Sequence, residues 1–248
     1  MTVLLSFNAF TDCARFPSSW RTGKLCLLVE TNQGPLLIDT GPGLEDYARP
    51  PAILRVFQAI TRVAMDPQEA AIRQVVRLGY RPEDIRHILL THMHFDHCGG
   101  LPDFPWATVH VHERELDAYR GVTRHWANLA YVRRHMAHRP AVVTYRVTGE
   151  SWLGLPATRL PFEPEMWLVP LHGHTPGHCG VAVRLGTGWH FHVGDAGPIG
   201  LQDYAPKWLV RTVLGPLTPH LQAFAACHPE VIITTGHMWL ESFAQPAG

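Results

Sequence analysis

Short apolar runs that end in a polar segment containing glycine recur along the chain. A run of this kind is typical of a buried strand that delivers a loop at its carboxyl end. Such runs lead into Asp39, His92, His174, Asp195 and His237. Loops at strand ends are where binding and catalytic residues gather. We therefore expect these positions, which are distant in the sequence, to converge on one site.

Turn signals and helical spacing predict the remaining elements. Residues 32–34 and 186–188 each separate two apolar runs and predict hairpins. Helices are predicted over residues 52–65 and 67–78. Residues 113–137 are predicted to be mostly helical, and the mixed apolar spacing allows a break at Gly121. The apolar stripe of residues 52–65 is typical of a core-facing helix and would also suit a homodimer interface. Strands that alternate with helices favour an α/β fold.

The densest chemical signal follows the apolar run at residues 88–90. Four potential metal ligands, His92, His94, Asp96 and His97, lie within six positions and precede a Gly-Gly pair. Extended backbone places the first two histidines on one side, while the later two residues follow a turn and can point into the same volume. Two neighbouring metal positions fit this pattern better than one. Imidazole and carboxylate ligands suit zinc, and also manganese, iron or cobalt.

The composition of the chain limits the classes of partner that it is expected to bind. The 248 residues carry 21 basic and 21 acidic side chains, a formal net charge of zero, which disfavours nucleic acid and anionic membranes and favours a small, near-neutral substrate. A hydrophobic content of 46% supports one large domain over residues 1–248. Five cysteines without framework spacing, and an amino terminus without a signal-peptide pattern, predict a cytoplasmic protein. Cys98 and Cys179 are interpreted as small apolar filler.

Five motifs, in this order, resemble those of the metallo-β-lactamase superfamily. They are Asp39 at a strand end, the segment His92-x-His94-x-Asp96-His97, His174 in Gly-His-Thr-Pro-Gly-His, Asp195 in Val-Gly-Asp, and His237 in Thr-Gly-His. The resemblance spans nearly the whole chain. It implies a four-layer αββα sandwich, in which two mixed sheets are flanked by helices and a dinuclear metal site lies at one edge.

The resemblance also implies a role for each motif residue. One divalent ion would bind to His92, His94 and His174, a second to Asp96, His97 and His237, and Asp195 would bridge the two ions. Zinc is the expected metal, with manganese, iron or cobalt as alternatives. Two such ions would lower the pKa of a water molecule that they share, so that hydroxide is available at neutral pH. Asp96 would orient that hydroxide and pass a proton to the leaving group. Asp39 would brace the ligand loop.

Within the superfamily, the chain is similar to the lactonase branch, which includes the acyl-homoserine-lactone hydrolases. The similarity rests on residues 79–92, on Phe95 and on overall length. Those lactonases carry a tyrosine shortly after the bridging aspartate, whereas Asp195 is followed by Ala-Gly-Pro-Ile-Gly. We therefore expect hydrolysis of a small ester-like substrate, which could be a lactone, a carboxylic ester or a phosphotriester. The aspartate at position 195, where true β-lactamases have a cysteine or lack the acid, disfavours antibiotic hydrolysis.

Three other functions stay open. A mononuclear-iron persulfide dioxygenase would use His92, His174 and Asp195 as a facial triad with open coordination positions. A thioesterase of the glyoxalase type shares the metal motifs but carries a helical extension for which this chain has little room. A non-catalytic binding module would be expected to have lost ligands, and none is missing.

The substrate pocket is predicted from side chains near the motifs. Phe16 and Trp20 lie in a loop that could form a pocket wall. Phe95 lies inside the histidine segment, and His178 either braces its own loop or faces the pocket. Tyr204 could replace the missing lactonase tyrosine.

Overall fold

The computed structural model describes residues 4–10, 22–61, 65–121, 126–196 and 219–239. Fourteen strands lie in these ranges. They are β1 (Leu4–Phe10), β2 (Thr22–Thr31), β3 (Gly34–Ile38), β4 (His87–Leu89), β5 (Thr108–His112), β6 (Val142–Tyr145), β7 (Ser151–Trp152), β8 (Leu155–Pro156), β9 (Thr158–Arg159), β10 (Met166–Pro170), β11 (Cys179–Leu185), β12 (Gly188–His192), β13 (Val231–Thr234) and β14 (His237–Trp239).

Six α-helices lie in the same ranges, and several single turns of 3-10 helix connect them. The α-helices are α1 (Leu44–Ala48), α2 (Ala52–Thr61), α3 (Ala71–Arg77), α4 (Phe95–Cys98), α5 (Glu113–Tyr119) and α6 (Pro219–Cys227). The 3-10 turns are Pro67–Glu69, Pro82–Asp84, Leu101–Asp103, Trp126–Ala130, Arg133–Met136 and Gly194–Ala196. None of these helices is long and apolar enough to cross a membrane.

The first sheet has the strand order β1-β2-β3-β4-β5-β6, and β14 pairs with the start of β2. Strands β3, β4, β5 and β6 run parallel to one another, while β1, β3 and β14 are antiparallel to β2. The register of β14 places His237 directly opposite Lys24. Because the side chains of directly opposed residues lie on the same face of a sheet, these two side chains meet.

The second sheet has the order β13-β12-β11-β10-β9, with β12 and β13 parallel. Alternate residues of both sheets, such as Leu27 and Val181, form a shared apolar layer between them. The outer face of the first sheet packs against α3 and α5, and that of the second packs against α6. The described residues therefore form the predicted helix–sheet–sheet–helix layers.

Most of the predicted elements are present, and the longest predicted helical stretch is interrupted. Both hairpins form, since β2–β3 and β11–β12 pair around the predicted turns. The helical stretch predicted over residues 113–137 is broken at Gly121, as the sequence suggested: α5 ends at Tyr119, Gly121 has a φ of +81°, and separate 3-10 turns follow. Among the side chains of α2 whose burial the structure describes, Leu54 is fully buried, whereas Val56 is 55% exposed. The homodimer interface stays a prediction.

The loop that carries His174 packs backbone to backbone against α5, and this contact requires glycine. A Cβ atom on Gly177 would lie 2.1 Å from the backbone nitrogen of Glu115, closer than real contacts allow. We predict that Gly177→Ala lowers the free energy of unfolding by about 1–3 kcal/mol, because the loop must move away from the helix. Gly188→Ala is the matched control, because its Cβ would meet no atom closer than 3.9 Å. Denaturant unfolding of both variants tests this, and equal stability of the two would contradict it.

Candidate metal centre

Two groups of buried histidine and aspartate side chains lie side by side where the strand ends meet. The first group contains His92, His94 and His174, and the second contains Asp96, His97, Asp195 and His237. Within each group, one potential ligand atom per residue lies within 4.8 Å of all the others. All seven sequence-predicted ligands are therefore brought together.

The first group consists of three imidazoles that are poised to bind a cation. His94 Nδ1 lies 3.0 Å from His174 Nε2. His92 Nε2 is buried and has no hydrogen-bond partner among the described residues. Burial lowers the pKa of His92 and His94 well below the usual imidazole value and lowers that of His174 to about 4. Neutral imidazole is the form that binds a metal ion, so this group fits one.

Asp195 lies between the two groups. Its Oδ2 is 3.5 Å from His174 Nε2 in the first group and 3.4 Å from His237 Nε2 in the second. Its Oδ1 is 3.2 Å from His97 Nε2. Burial would raise the pKa of this carboxyl, but Lys24 and His97 outweigh that effect and hold it well below its usual range. Asp195 is therefore a carboxylate within reach of both groups.

A lysine that the sequence analysis did not single out enters the second group. Lys24 is fully buried, and its Nζ lies 3.5 Å from Asp96 Oδ2 and 3.4 Å from Asp195 Oδ1. The same Nζ contacts His97 Nε2. Burial alone would lower the pKa of Lys24, but the two carboxylates outweigh it and hold the pKa above its usual value. The second group therefore already surrounds a positive charge.

Comparisons with known proteins identify the family of the chain. The model of the metallo-beta-lactamase superfamily matches residues 20–237. The chain belongs to the metallo-β-lactamase superfamily. A probable metallo-hydrolase of Mycobacterium tuberculosis is 42% identical over 173 residues, which are 68% of this chain and 55% of the relative. An N-acyl homoserine lactonase of Bacillus cereus is 26% identical over 162 residues, 64% of this chain and 57% of the relative. The chain thus covers little more than half the length of either curated relative.

Solved structures of the superfamily share the fold. An N-acyl homoserine lactone hydrolase, with the product N-hexanoyl-L-homoserine at its catalytic metal centre, aligns with a TM-score of 0.66 over 98% of this chain and 95% of that chain, at 20% identity. AidC, a dizinc quorum-quenching lactonase, aligns with a TM-score of 0.59 over 95% of this chain and 84% of that chain, at 17% identity. These matches confirm the predicted αββα metallo-β-lactamase fold.

Asp39 braces the histidine segment, the role predicted for it. Its Oδ1 accepts a hydrogen bond from the backbone N–H of Thr91 at 2.9 Å, and its Oδ2 accepts from Thr91 Oγ1 at 2.8 Å. His97 Nδ1 lies 2.7 Å from the same Oδ2. A carboxylate partner on one ring nitrogen of a histidine leaves the other nitrogen free to act as a ligand. Asp39 therefore aims His97 Nε2 into the second group.

A second buried carboxylate, Glu115 on α5, joins the two histidine loops. Its Oε1 accepts from the Met93 backbone N–H at 2.9 Å and from Tyr131 Oη at 3.0 Å. Its Oε2 accepts from Thr175 Oγ1 at 2.6 Å and from the Gly177 backbone N–H at 3.1 Å. Met93 lies between His92 and His94, and Thr175 follows His174. One side chain thus sets the separation of all three members of the first group.

The residues predicted to line the pocket have different outcomes. His178 is fully buried, its Nδ1 lies 3.2 Å from the Leu171 carbonyl oxygen, and its Nε2 accepts from the Asp195 backbone N–H at 3.0 Å. It braces the loops, which was the predicted alternative to lining the pocket. Phe95 is 6% exposed and packs with Leu54 of α2. The predictions for Phe16, Trp20 and Tyr204 lie outside the described residues.

Lys24 and Glu115 are the two site residues that the sequence analysis missed. Lys24 is the first residue of an otherwise apolar run, 24–29, in β2, and a single charge at the end of a buried strand is a signal that could have drawn attention to it. Glu115 lies among acidic residues in the first turn of a short helix, where carboxylates are common on the surface. Its sequence context carries no comparable signal.

We predict that Glu115→Gln loosens the first group. The amide group offers one acceptor atom where the carboxylate offers two, so some of the four donors around it lose their partner and stay buried. We expect the free energy of unfolding to fall by at least about 2 kcal/mol and metal affinity to fall about 10- to 100-fold. Denaturant unfolding and chelator competition measure these effects. Glu113→Gln is the control, since Glu113 lies two residues away on α5 with its side chain 41% exposed. Matching behaviour of the two variants would contradict the role of Glu115.

Proposed function

We propose that the chain is a metal-dependent hydrolase that cleaves small ester-like substrates, with lactones as the leading substrate class. The observation that carries this proposal is the first group, in which three neutral, buried imidazoles converge beside Asp195 and His92 Nε2 has no hydrogen-bond partner among the described residues. Leaving a buried polar atom without a partner costs free energy, and a bound cation removes that cost. Histidine and carboxylate ligands favour zinc, with manganese, iron or cobalt as alternatives.

The preference for lactones is supported by the relatives. The Bacillus cereus relative is an N-acyl homoserine lactonase, and one structural neighbour, an N-acyl homoserine lactone hydrolase, holds the product N-hexanoyl-L-homoserine at its catalytic metal centre. The Mycobacterium tuberculosis relative, at 42% identity, is a probable metallo-hydrolase without a stated substrate. Carboxylic esters and phosphotriesters are therefore the other substrates to be tested.

The site residues divide the chemistry between them. A divalent ion in the first group would lower the pKa of a coordinated water and polarise the substrate's carbonyl oxygen. The side chain of Asp96 is 10% exposed, more open than that of Asp195, and its Oδ2 lies 3.3 Å from His237 Nε2. Asp96 would accept the proton of the attacking water as the new carbon–oxygen bond forms. It would then deliver this proton to the leaving oxygen as the ester bond breaks, giving a hydroxy acid from a lactone.

A second candidate function is a mononuclear-iron dioxygenase that acts on a persulfide. The observation that favours it is Lys24, whose Nζ lies among the members of the second group and leaves the first group as the open metal position. His92, His174 and Asp195 would then supply the facial triad. Oxygen uptake by the iron-loaded protein in the presence of a persulfide tests this function. Hydrolysis of a lactone by zinc-loaded protein, with no oxygen uptake by the iron form, would exclude it.

The first test of the proposed function is a substrate panel assayed with metal-loaded and chelator-treated protein. N-acyl homoserine lactones, simple lactones, aryl esters and phosphotriesters represent the candidate classes. We expect lactone ring opening, which releases one proton per turnover and can be followed with a pH indicator. We expect that treatment with a chelator abolishes this activity and that added zinc restores it. Full activity in metal-free protein would contradict the proposal.

Substitution of a first-group ligand gives a sharper test. We predict that His94→Ala lowers kcat/KM by at least about 10³-fold and leaves the fold intact, because the side chain belongs to the loop between β4 and α4 and not to the apolar layers. The control is His228→Ala, at the end of α6, whose side chain pairs with Glu230 at the surface. Steady-state kinetics together with circular dichroism separate loss of function from unfolding. Full turnover of His94→Ala would refute the assigned site.

A further inference from the structure

The second group of metal-ligand side chains is built around Lys24. This residue starts the apolar part of β2, and the register of β14 places it directly opposite His237. The backbone N–H of the next residue, Leu25, donates to the Gly236 carbonyl oxygen at 2.9 Å, so the pairing is fixed by main-chain hydrogen bonding. The side chains of Lys24 and His237 therefore enter the site from the same face of the sheet.

The ammonium group of Lys24 lies among the atoms that would bind a second metal ion. Its Nζ is 3.5 Å from Asp96 Oδ2, 3.4 Å from Asp195 Oδ1 and in contact with His97 Nε2. A zinc ion bound to the same atoms would lie about 2.0–2.2 Å from each of them. The ion and the ammonium would then compete for one small volume. The second group, as it stands, does not fit a metal ion.

The surroundings leave little room for the ammonium to withdraw. Lys24 is fully buried. On one side lies Gly236, where a Cβ atom would come within 3.0 Å of the Lys24 Nζ and 2.5 Å of Asp195 Oδ1. Glycine at this position lets the backbone of residues 235–237 approach the lysine and the aspartate together. This close packing of residues 235–237 holds the Lys24 side chain in place.

The formal charges favour one metal ion over two. Asp96 and Asp195 supply two negative charges, and Lys24 supplies one positive charge. With one divalent ion in the first group, the two carboxylates, the ammonium and the ion have a net charge of plus one. With a second divalent ion, the net charge would be plus three. A net charge of that size is costly in a site shielded from water. The ammonium therefore supplies in the second group the cation that the two carboxylates require.

We propose that Lys24 takes the place of the second metal ion, so that the chain binds one divalent ion, in the first group with Asp195. This inference rests on the proposed metal-dependent function and replaces the expectation of two metal ions. Lys24 acts as a fixed counter-ion that positions Asp96 and Asp195.

The test is the number of zinc ions bound per chain at saturation, measured by equilibrium dialysis and mass spectrometry after the protein has been made metal-free. We expect one ion in the unmodified protein and one in Lys24→Arg, which keeps the cation. We expect two ions in Lys24→Met, which removes the charge from a side chain of similar length. Cobalt loading gives an independent readout, since two adjacent cobalt ions couple magnetically and a single ion does not. We expect coupling in Lys24→Met alone.

Each other outcome has a distinct meaning. Two ions in the unmodified protein would overturn the proposal, and this measurement needs no variant. One ion in both the unmodified protein and Lys24→Met would overturn it as well, because the lysine would not then be what excludes the second ion. No bound ion in the folded, unmodified protein would instead refute the proposed metal-dependent function. Circular dichroism of the metal-free proteins establishes that each variant is folded before its bound ions are counted.

Discussion

Two buried carboxylates at one edge of the sandwich impose the constraint on which the rest of the site depends. Asp96 and Asp195 are almost fully enclosed, and the removal of a carboxylate from water is costly unless a cation or several hydrogen-bond donors replace the water. The structure meets this requirement with Lys24 between the carboxylates and with imidazoles around them. Electrostatic balance therefore links the metal site to a residue on β2 that lies outside the motifs.

The ligands are held from behind by carboxylates that do not belong to either group. Asp39 holds Thr91 and His97, and Glu115 holds the loops of Met93 and Thr175. Each brace connects a ligand segment to a different layer of the sandwich, β3 in one case and α5 in the other. The geometry of the site consequently depends on how the layers pack, and substitutions that disrupt the layers are expected to disturb the site as well.

The parts of this molecule that could be predicted from sequence are those with local signals. The hairpins at residues 32–34 and 186–188 follow from turn residues between apolar runs, and both are observed. The ligand residues could be predicted because each follows a strand and strand ends converge. The position of Lys24 could not be predicted, because it depends on the pairing of β2 with β14, near the other end of the described chain. Glu115 likewise depends on how α5 packs against two loops.

The most direct test of the account is a crystal structure of the zinc-loaded protein with anomalous diffraction measured at the zinc absorption edge. We expect one strong anomalous peak, about 2.0–2.1 Å from His92 Nε2, His94 Nδ1 and His174 Nε2, with the Lys24 ammonium retained between Asp96 and Asp195. A peak in the second group with Lys24 displaced would contradict the assignment of that position to the lysine. The absence of any peak near the three histidines would contradict the metal centre itself.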